Sequence, residues 1–389
     1  LIDELRGDRA FLENVRHWQT IPATEGTYAE IPDEVDRRIV AALGRRGIDR
    51  LYQHQSEAIS HAFLGKNVVV VTPTASGKTL SYNLPVLDAI LKDPDTRALY
   101  LFPTKALSQD QQAELNMTME DGGLEISVMT FDGDTPPAVR GAARTRGQII
   151  ISNPDMLHAG ILPNHAKWVQ FFQNLRYVVI DEVHTYRGVC GSQVCNVMRR
   201  LKRVAEFYGS HPQFIMCSAT IGNPQELAQA MVEEPVELVD HNGAPTGEKH
   251  IILYNPPLVD RVQGIRQGIV HAARTLALRF LRRGVKTIVF ARSRQRTELI
   301  AGYIRTSLEN VFTQNERIQV EAYRGGYLPS ERRSIERGLR DGTIHGVVST
   351  NALELGIDIG GLDAAILGGF PGTVAGSLQQ AGRAGRRRT

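Results

Sequence analysis

Short β-branched, apolar runs alternate with helix-like stretches along most of this 389-residue chain, and this alternation limits the possible folds more than any other feature. Strands that alternate with helices pair in parallel, because each helix carries the chain back to the start of the next strand. Runs that are apolar on both faces are typical of central strands. We therefore predict an α/β fold of mostly parallel sheets covered by helices on both faces. The predicted strands are 67–71, 97–103, 125–131, 148–152, 177–181, 213–219, 251–255, 286–291, 318–323, 346–350 and 362–367.

A Gly- and Pro-containing polar segment, DHNGAPTGEKH at 240–250, interrupts the alternation and predicts a domain boundary. We expect an N-terminal accessory segment at 1–50, a first α/β domain at 51–245 and a second at 246–389. The sequence starts at Leu1 without a methionine and stops among arginines, so we expect a piece of a longer protein with a truncated second domain.

The bulk composition restricts the class of protein. Basic and acidic residues number 45 and 42, a net charge of +3, so a nucleic-acid-binding surface would have to be local. The three cysteines, Cys190, Cys195 and Cys217, are too few for a disulfide framework or a four-ligand zinc site, and we expect small buried thiols. No apolar stretch approaches the ~20 residues of a membrane span and no signal-peptide pattern begins the chain, which favours the cytoplasm.

The segment TPTASGKT at 72–79 resembles a phosphate-binding loop whose first glycine is replaced by Thr72. It follows a predicted strand and precedes a predicted helix, so its backbone N–H groups and the helix N-terminus would face an anion. Lys78 would add a positive charge beside the phosphates, and Thr79 would ligate Mg²⁺. Taken alone, the segment is equally compatible with an ordinary strand-to-helix turn. The nucleotide-binding candidates in the loop are Thr74, Ala75, Ser76, Gly77, Lys78 and Thr79.

Two adjacent carboxylates, Asp181 and Glu182, end the predicted strand at 177–181. The carboxyl end of a parallel strand is where α/β proteins bind ligands. Asp181 would hold Mg²⁺ through water, and Glu182 would polarise the water that attacks a phosphate. The alternative is that the pair forms an acidic cap for the next helix.

The order of these motifs resembles that of the superfamily 2 helicases. Asp-Glu-x-His at 181–184 follows the loop and precedes Ser-Ala-Thr at 218–220, and the superfamily tolerates a non-glycine first loop residue. The resemblance implies two tandem RecA-like domains, with ATP and Mg²⁺ as cofactors. It assigns adenine binding to Gln55; nucleotide binding in the second domain to Gly356 and Asp358; nucleic-acid contacts to Thr104, Lys105, Asn153, Arg292, Arg324, Thr350 and Asn351; coupling to His184, Ser218 and Thr220; and catalysis to Gln379, Arg383 and Arg386 as well as Lys78, Asp181 and Glu182.

Arg383 and Arg386 lie in the second predicted domain, far along the chain from Lys78. An arginine finger meets charge that develops on the γ-phosphate, so these arginines would have to reach across a domain cleft. Nucleotide would then hold the domains together and hydrolysis would let them part. A basic surface helix is the alternative, although the glycines that flank the arginines are poor helix formers.

The predicted nucleic-acid contacts all follow predicted strand ends. Backbone amides and short hydroxyls that bind phosphates give sequence-independent binding, which suits a motor that moves along any strand. Thr and Asn are also ordinary turn residues, so each residue by itself has a purely structural alternative.

Longer stretches narrow the resemblance, among them TPTASGKTLSYNLPVL, VIDEVHTYRGVCGS and VVSTNALELGIDIG. Together they are similar to the bacterial mitomycin repair factor A helicases and their eukaryotic RecQ-like relatives. This similarity implies ATP-dependent 3′-to-5′ movement on single-stranded or tailed duplex DNA, a role in DNA repair with unnamed repair partners, and a nucleoid-associated location without membrane contact. The cysteine-rich zinc domain that follows the motor in that family has no counterpart here.

Three other functions remain open at this stage. The motor motifs contact mainly the backbone, so they do not exclude RNA as the substrate. A nucleotide-gated clamp would bind nucleic acid without unwinding it, which the catalytic residues argue against. A small-molecule P-loop kinase would have no use for the second sheet and its arginines.

Overall fold

In the computed structural model, which describes residues 1–74, 76–309, 318–355 and 359–385, the chain divides into two compact units. The central unit is Gly26–Ala244, and the terminal unit combines Leu1–Glu25 with Pro245–Thr389. The division after Ala244 lies one residue from the predicted boundary. The predicted accessory segment 1–50 is not one piece, because its first half belongs to the terminal unit and its second half to the central unit.

The N-terminal elements of the terminal unit are α1 (Ile2–Gly7), α2 (Arg9–Leu12) and β1 (Val15–Ile21). The chain then forms the whole central unit. Its elements are β2 (Tyr28–Ala29), α3 (Arg37–Arg45), β3 (Leu51–Tyr52), α4 (Gln53–Phe63), β4 (Val68–Val71), α5 (Lys78–Lys92), β5 (Arg97–Leu101), α6 (Lys105–Gly122), β6 (Val128–Thr130), α7 (Pro137–Arg146), β7 (Ile149–Ser152), α8 (Pro154–Met156), α9 (Val169–Gln173), β8 (Leu175–Ile180), α10 (Gly188–Phe207), β9 (Gln213–Ser218), α11 (Pro224–Val232) and β10 (Glu237–Val239).

The central unit is built on a seven-stranded parallel sheet in the order β10-β4-β9-β8-β5-β7-β6. Successive side chains point to opposite faces of a strand. In β4, Val68 and Val70 enter the core that α4 and α5 cover, while Val69 and Val71 enter the core of α10 and α11. Helices therefore cover both faces, as predicted. All six strands predicted for this domain are present, and the short edge strand β10 is an addition.

The terminal unit resumes after the boundary and forms a four-stranded parallel sheet in the order β15-β16-β14-β17. Helices α12 and α13 supply the core on one face. The α/β fold with two mainly parallel sheets is thereby confirmed. The elements of the terminal unit after the boundary are β11 (Lys249–Tyr254), β12 (Leu258–Asp260), β13 (Ile265–Arg266), α12 (Ile269–Leu281), β14 (Thr287–Phe290), α13 (Arg294–Glu309), β15 (Val320–Tyr323), α14 (Pro329–Asp341), β16 (Gly346–Ser349), β17 (Ala364–Leu367) and α15 (Val374–Ala381).

The strand predicted at 251–255 does not join the second parallel sheet. It forms β11, which pairs antiparallel with β1, for example Trp18 with Ile252. The polar sequence VRHWQTI of β1 gives no apolar run, because most of this strand is exposed. The strand prediction for 251–255 was therefore right, but β11 pairs with β1, which was not predicted, and not with the parallel sheet.

Arg279 attaches the N-terminal helices to α12. Its guanidinium lies 2.8 Å from Asp8 Oδ2 and 3.3 Å from Glu4 Oε1, and 5.5 Å from the ring centre of Phe11. Arg279 is therefore not a solvated residue at a helix end, because its acidic partners come from the distant N-terminal segment.

The cysteines differ in exposure. Cys217 is buried, as expected, whereas Cys195 is half-buried and Cys190 is exposed at the start of α10. Over the described residues there is no group of three or more His, Cys, Asp or Glu side chains placed to hold a metal ion. The same part of the chain contains no helix that is long and apolar enough to cross a bilayer.

Candidate functional site

The loop after β4 is braced by the residue that replaces the expected glycine. Thr72 Oγ1 lies 2.5 Å from Ser76 Oγ, and both side chains are buried. This hydrogen bond joins the start of the loop to the residue before Gly77. The threonine therefore adds a contact inside the loop, which explains how the turn keeps its shape without its first glycine.

Gly77 leads into α5 with a φ of 79°, a left-handed conformation that favours glycine. Its carbonyl accepts a hydrogen bond of 2.8 Å from Gln55 Nε2, and Gln55 Oε1 accepts one from the Tyr52 N–H at the same distance. A Cβ on Gly77 would lie 2.6 Å from Gln55 Nε2. The glutamine predicted to bind adenine is thus fastened to the loop and to the start of α4.

Lys78 lies folded against its own loop. Its Nζ donates to the carbonyl oxygens of Thr72 at 2.7 Å and Pro73 at 3.1 Å. Thr79 follows in the first turn of α5 and is half-buried. Both side chains lie where the loop meets the helix N-terminus, which is the position from which such a lysine and hydroxyl serve a phosphate and its metal.

Asp181 follows β8 directly, and its Oδ1 accepts a hydrogen bond of 2.8 Å from the Glu182 N–H. Burial, and then the neighbouring Glu182 carboxylate, raise the pKa of Asp181 to about 7, against the opposing charge of Lys78. Glu182 itself has a left-handed φ of 52°, which costs free energy for a non-glycine residue. The two predicted catalytic carboxylates thus combine a strained backbone at Glu182 with a raised pKa at Asp181, which is typical of functional sites.

The side-chain oxygen atoms of Thr79 and Asp181 are suitable ligands for Mg²⁺. This ion prefers oxygen ligands and is held by one or two protein groups together with water and substrate phosphates. The Thr79 hydroxyl and the Asp181 carboxylate supply oxygens of this kind. A nearby dication would stabilise the ionised form of Asp181, whose pKa is raised by burial and then by the Glu182 carboxylate.

His184 connects the carboxylates to the Ser-Ala-Thr motif. Its Nδ1 accepts a hydrogen bond of 3.1 Å from the Ala219 N–H, and Glu182 Oε2 lies 3.5 Å from the same nitrogen. Burial lowers the pKa of His184, so the ring is neutral with its proton on Nε2. Ser218 is buried and donates to the Ala219 carbonyl, whereas Thr220 is exposed. A hydrogen bond thus joins His184 to the Ser-Ala-Thr motif, and the coupling role of His184, Ser218 and Thr220 stays a prediction.

Thr104 and Asn153 follow the adjacent strands β5 and β7 and therefore lie at one edge of the central sheet. Each caps the helix that it precedes, with its side-chain oxygen accepting a backbone N–H at 3.3 Å and 2.8 Å respectively. Lys105 is exposed and its Nζ lies 2.6 Å from Asp134 Oδ2. Backbone amides and an exposed cation thus stand at the predicted position.

In the terminal unit, Arg292, Thr350 and Arg324 follow the carboxyl ends of β14, β16 and β15. Arg292 and Asn351 are exposed, while Thr350 caps a short helical turn. Arg324 Nε donates to Glu298 Oε1 at 2.7 Å, so a phosphate would have to compete with this carboxylate. The predicted contacts share one edge of the sheet.

Arg383 is buried in the terminal unit, with 1% of its surface exposed. Its Nη2 and Nε donate to the backbone carbonyl of Glu354 at 2.8 Å and 3.2 Å, and Gln380 Nε2 donates to Glu354 Oε2 at 2.9 Å. Gln379 is also buried. These contacts fix the segment after β16, a structural role that the sequence did not indicate. Four predicted site residues lie outside the described part of the chain: Ala75, Gly356, Asp358 and Arg386.

His54, which the sequence interpretation passed over, lies beside the predicted adenine-binding glutamine. It is fully buried, its Nδ1 accepts the Gly243 N–H at 3.1 Å, and burial lowers its pKa to about 4. Gly243 also accepts a hydrogen bond of 2.9 Å from the Thr27 N–H. His54 therefore joins the start of α4 to both ends of the central unit. The sequence signal that could have pointed to His54 is its place next to Gln55 in the motif LYQHQ.

Two family models match the chain, each over one of the two sheets. The model described as DEAD/DEAH box helicase matches residues 52–227, and that described as helicase conserved C-terminal domain matches residues 269–388.

Individual relatives match along the full chain. The chain is 55% identical over 387 residues to the uncharacterized ATP-dependent helicase YprA of Bacillus subtilis, covering 100% of this chain and 51% of YprA. It is 40% identical over 396 residues to the ATP-dependent helicase HRQ1 of Saccharomyces cerevisiae, covering 100% of this chain and 36% of HRQ1. The chain thus spans about half the length of YprA, and less of HRQ1.

A solved structure gives the same result. The DUF1998 helicase MrfA bound to DNA and AMPPNP matches with a TM-score of 0.94 and 54% identity, covering 100% of this chain and 53% of that one. The two helicase domains follow one another in the sequence, and each is built on a parallel sheet. Together with the identity along the whole chain, this arrangement agrees with the predicted RecA-like architecture. The chain therefore belongs to the superfamily 2 helicases and is close to MrfA.

Proposed function

We propose that this chain is an ATP-driven motor that hydrolyses ATP and moves along a DNA strand. The observation that carries the proposal is the arrangement in the central unit, where His184 joins the Asp181–Glu182 pair to the Ser-Ala-Thr motif beside the loop of Lys78. MrfA, a solved relative of this chain, binds DNA and AMPPNP.

The central unit supplies most of the groups for phosphoryl transfer. Lys78 exchanges its loop carbonyls for the β- and γ-phosphates, and Thr79 and Asp181 would hold Mg²⁺. When bound, Mg²⁺ would supply positive charge that stabilises the phosphates. Glu182 orients the attacking water and accepts its proton. Gln55, held by Gly77, places its amide toward adenine.

The terminal unit completes the reaction in this proposal. Arg386 reaches the γ-phosphate. Arg383 holds Glu354, which precedes the predicted nucleotide-binding residues Gly356 and Asp358 in the sequence. Nucleotide binding draws the two domains, 51–245 and 246–389, together. Because an arginine finger stabilises charge that develops during transfer, hydrolysis and domain opening are coupled. This coupling converts ATP hydrolysis into movement.

The finer proposals are 3′-to-5′ movement, a role in DNA repair and a location at the bacterial nucleoid. Their support is the resemblance to the mitomycin repair factor A helicases. The DNA strand lies along Thr104, Lys105 and Asn153 of one domain and continues to the strand-end residues of the other.

The test is ATP turnover by the 389-residue chain with no nucleic acid, with single-stranded DNA and with RNA of equal length, together with unwinding of a tailed duplex. We expect DNA to stimulate turnover. Stimulation by RNA alone would replace DNA by RNA as the substrate, and no stimulation by either would refute the motor.

Glu182→Gln tests the chemistry directly. We expect a loss of about 10²–10⁴-fold in turnover with nucleotide binding retained, because the amide cannot accept the proton of the attacking water. Glu206→Gln, on an exposed site of α10, is the matched control. Wild-type turnover by Glu182→Gln would remove its assigned role.

A further inference from the structure

The carboxyl edge of the terminal sheet has a fourth strand end that the proposed function does not use. Arg324, Thr350 and Arg292 follow β15, β16 and β14, and β17 ends beside them at Leu367. The loop after β17 carries Phe370, whose surface is 60% exposed. Its exposed aromatic ring therefore lies at an edge where the three other strand ends carry candidate phosphate contacts.

The start of this loop is fixed to the neighbouring strand. The Gly368 N–H donates to the Phe290 carbonyl at 2.8 Å, and a Cβ on Gly368 would lie at the same distance from that oxygen. Gly369 has a φ of 100°, and its Cβ position is 3.7 Å from Cδ of Arg292. The residue before Phe370 is therefore packed directly against a predicted phosphate-binding arginine.

The end of the loop is fixed to α15, the helix that precedes Arg383 in the chain. Thr373 Oγ1 accepts the Gly376 N–H at 3.0 Å and caps α15. That helix contains Gln380 and is followed by Arg383, and both residues donate hydrogen bonds to Glu354. Phe370 thus lies in a short loop whose two ends are held by hydrogen bonds, one at a strand end and the other at a capped helix.

We propose that Phe370 stacks on a nucleobase of the bound strand, next to the phosphate contacts of Arg292 and Thr350. This inference rests on the proposed function, since it adds a base contact to the same nucleic-acid site. Stacking suits a motor because every base has a π-face, so the contact does not depend on sequence. It also complements the phosphate contacts, which are electrostatic and weaken with salt.

A base stacked on Phe370 would be connected through this loop to α15 and Arg383. The loop passes from the ring through the Thr373 cap into α15 and so to Arg383. A strand that moves by one nucleotide must break the stack and form a new one. Phe370 therefore links each step of the strand to α15, the helix that precedes Arg383.

The experiment measures binding of the 389-residue chain to a single-stranded DNA and to an abasic strand of equal length, by fluorescence anisotropy over a range of salt concentrations. The variants are Phe370→Ala and Phe370→Trp. Phe207→Ala is the matched control, because Phe207 is 76% exposed and ends α10 of the central unit.

We expect Phe370→Ala to weaken binding to the base-bearing strand about tenfold, which equals about 1.4 kcal/mol, and to leave binding to the abasic strand unchanged. Phe370→Trp should restore the affinity, and Phe207→Ala should have no effect. The salt dependence should stay as in the wild type, because no charge is removed.

Equal affinity of Phe370→Ala and wild type for the base-bearing strand would overturn the inference, as would an equal loss on the abasic strand. These outcomes differ from failure of the proposed function, in which the wild-type chain itself binds neither strand. A melting curve of each variant checks that the fold is intact, and recovery by Phe370→Trp excludes a general loss of structure.

Discussion

Asp181→Asn is expected to stabilise the central unit while it abolishes ATP hydrolysis. Burial and the adjacent Glu182 raise the pKa of Asp181 to about 7, which means that ionising this carboxyl costs free energy in the folded chain. Asparagine is nearly the same shape and carries no charge, so it removes that cost. It also cannot serve Mg²⁺ as an anionic ligand.

The magnitude follows from the two pKa values. A rise from 3.8 to about 7 corresponds to about 4 kcal/mol. Residual solvent contact of the carboxyl reduces the expected gain to about 2–4 kcal/mol. Between these pKa values the folded state keeps the proton that the unfolded state loses, so wild-type stability falls as pH rises. The gain from Asp181→Asn should therefore be complete near pH 8 and fall by more than half at pH 5.

Urea unfolding at both pH values measures the gain. The chain has two tryptophans, Trp168 in the central unit and Trp18 in the terminal unit, so Trp18→Phe leaves Trp168 as the reporter for the unit that contains Asp181. Asp93→Asn, on the exposed end of α5, controls for the loss of a surface charge. A gain that is the same at pH 5 and pH 8, or a loss of stability at pH 8, would refute the reasoning.

Two further substitutions test the contacts around the nucleotide. Gly77→Ala should raise the KM for ATP and cost about 1–2 kcal/mol of stability, because φ is 79° and the new Cβ would displace Gln55. Gly65→Ala is the control, because Gly65 also has a positive φ but no atom near its Cβ position. An unchanged KM and an unchanged melting temperature of Gly77→Ala would contradict this prediction. Arg383→Met should destabilise the terminal unit by about 1.5–3 kcal/mol, since the Glu354 carbonyl loses two charge-assisted hydrogen bonds. Urea unfolding in a Trp168→Phe background, in which Trp18 is the reporter, compares this variant with the exposed control Arg282→Met. Equal stability of the two variants would exclude the structural role.

The parallel strands could be predicted because each is buried on both faces. Val68–Val71 has no exposed position, so its apolar run is unbroken in the sequence. The loop of Lys78 and the Asp181–Glu182 pair were also predictable, since local sequence determines both a strand-to-helix turn and a strand end. These features need no knowledge of distant partners.

Contacts between distant segments could not be predicted in this way. Strand β1 is mostly exposed and is a strand only because β11 pairs with it. The acidic partners of Arg279 and the carbonyl partner of Arg383 are likewise set by the folded chain. His54 illustrates the same limit, because burial against Gly243 gives it a role that its neighbours in sequence do not suggest.

The division of the terminal unit into two chain segments has a consequence for biosynthesis. Strand β1 leaves the ribosome early, but residues 22–248 must follow before β11 can pair with it. At ~5–20 residues per second, that delay is roughly ten seconds or more, during which the central unit can fold on its own. An expression plan for separate halves should therefore excise Gly26–Ala244 and splice the flanking segments, since a single cut near residue 245 would leave each half with an orphaned strand.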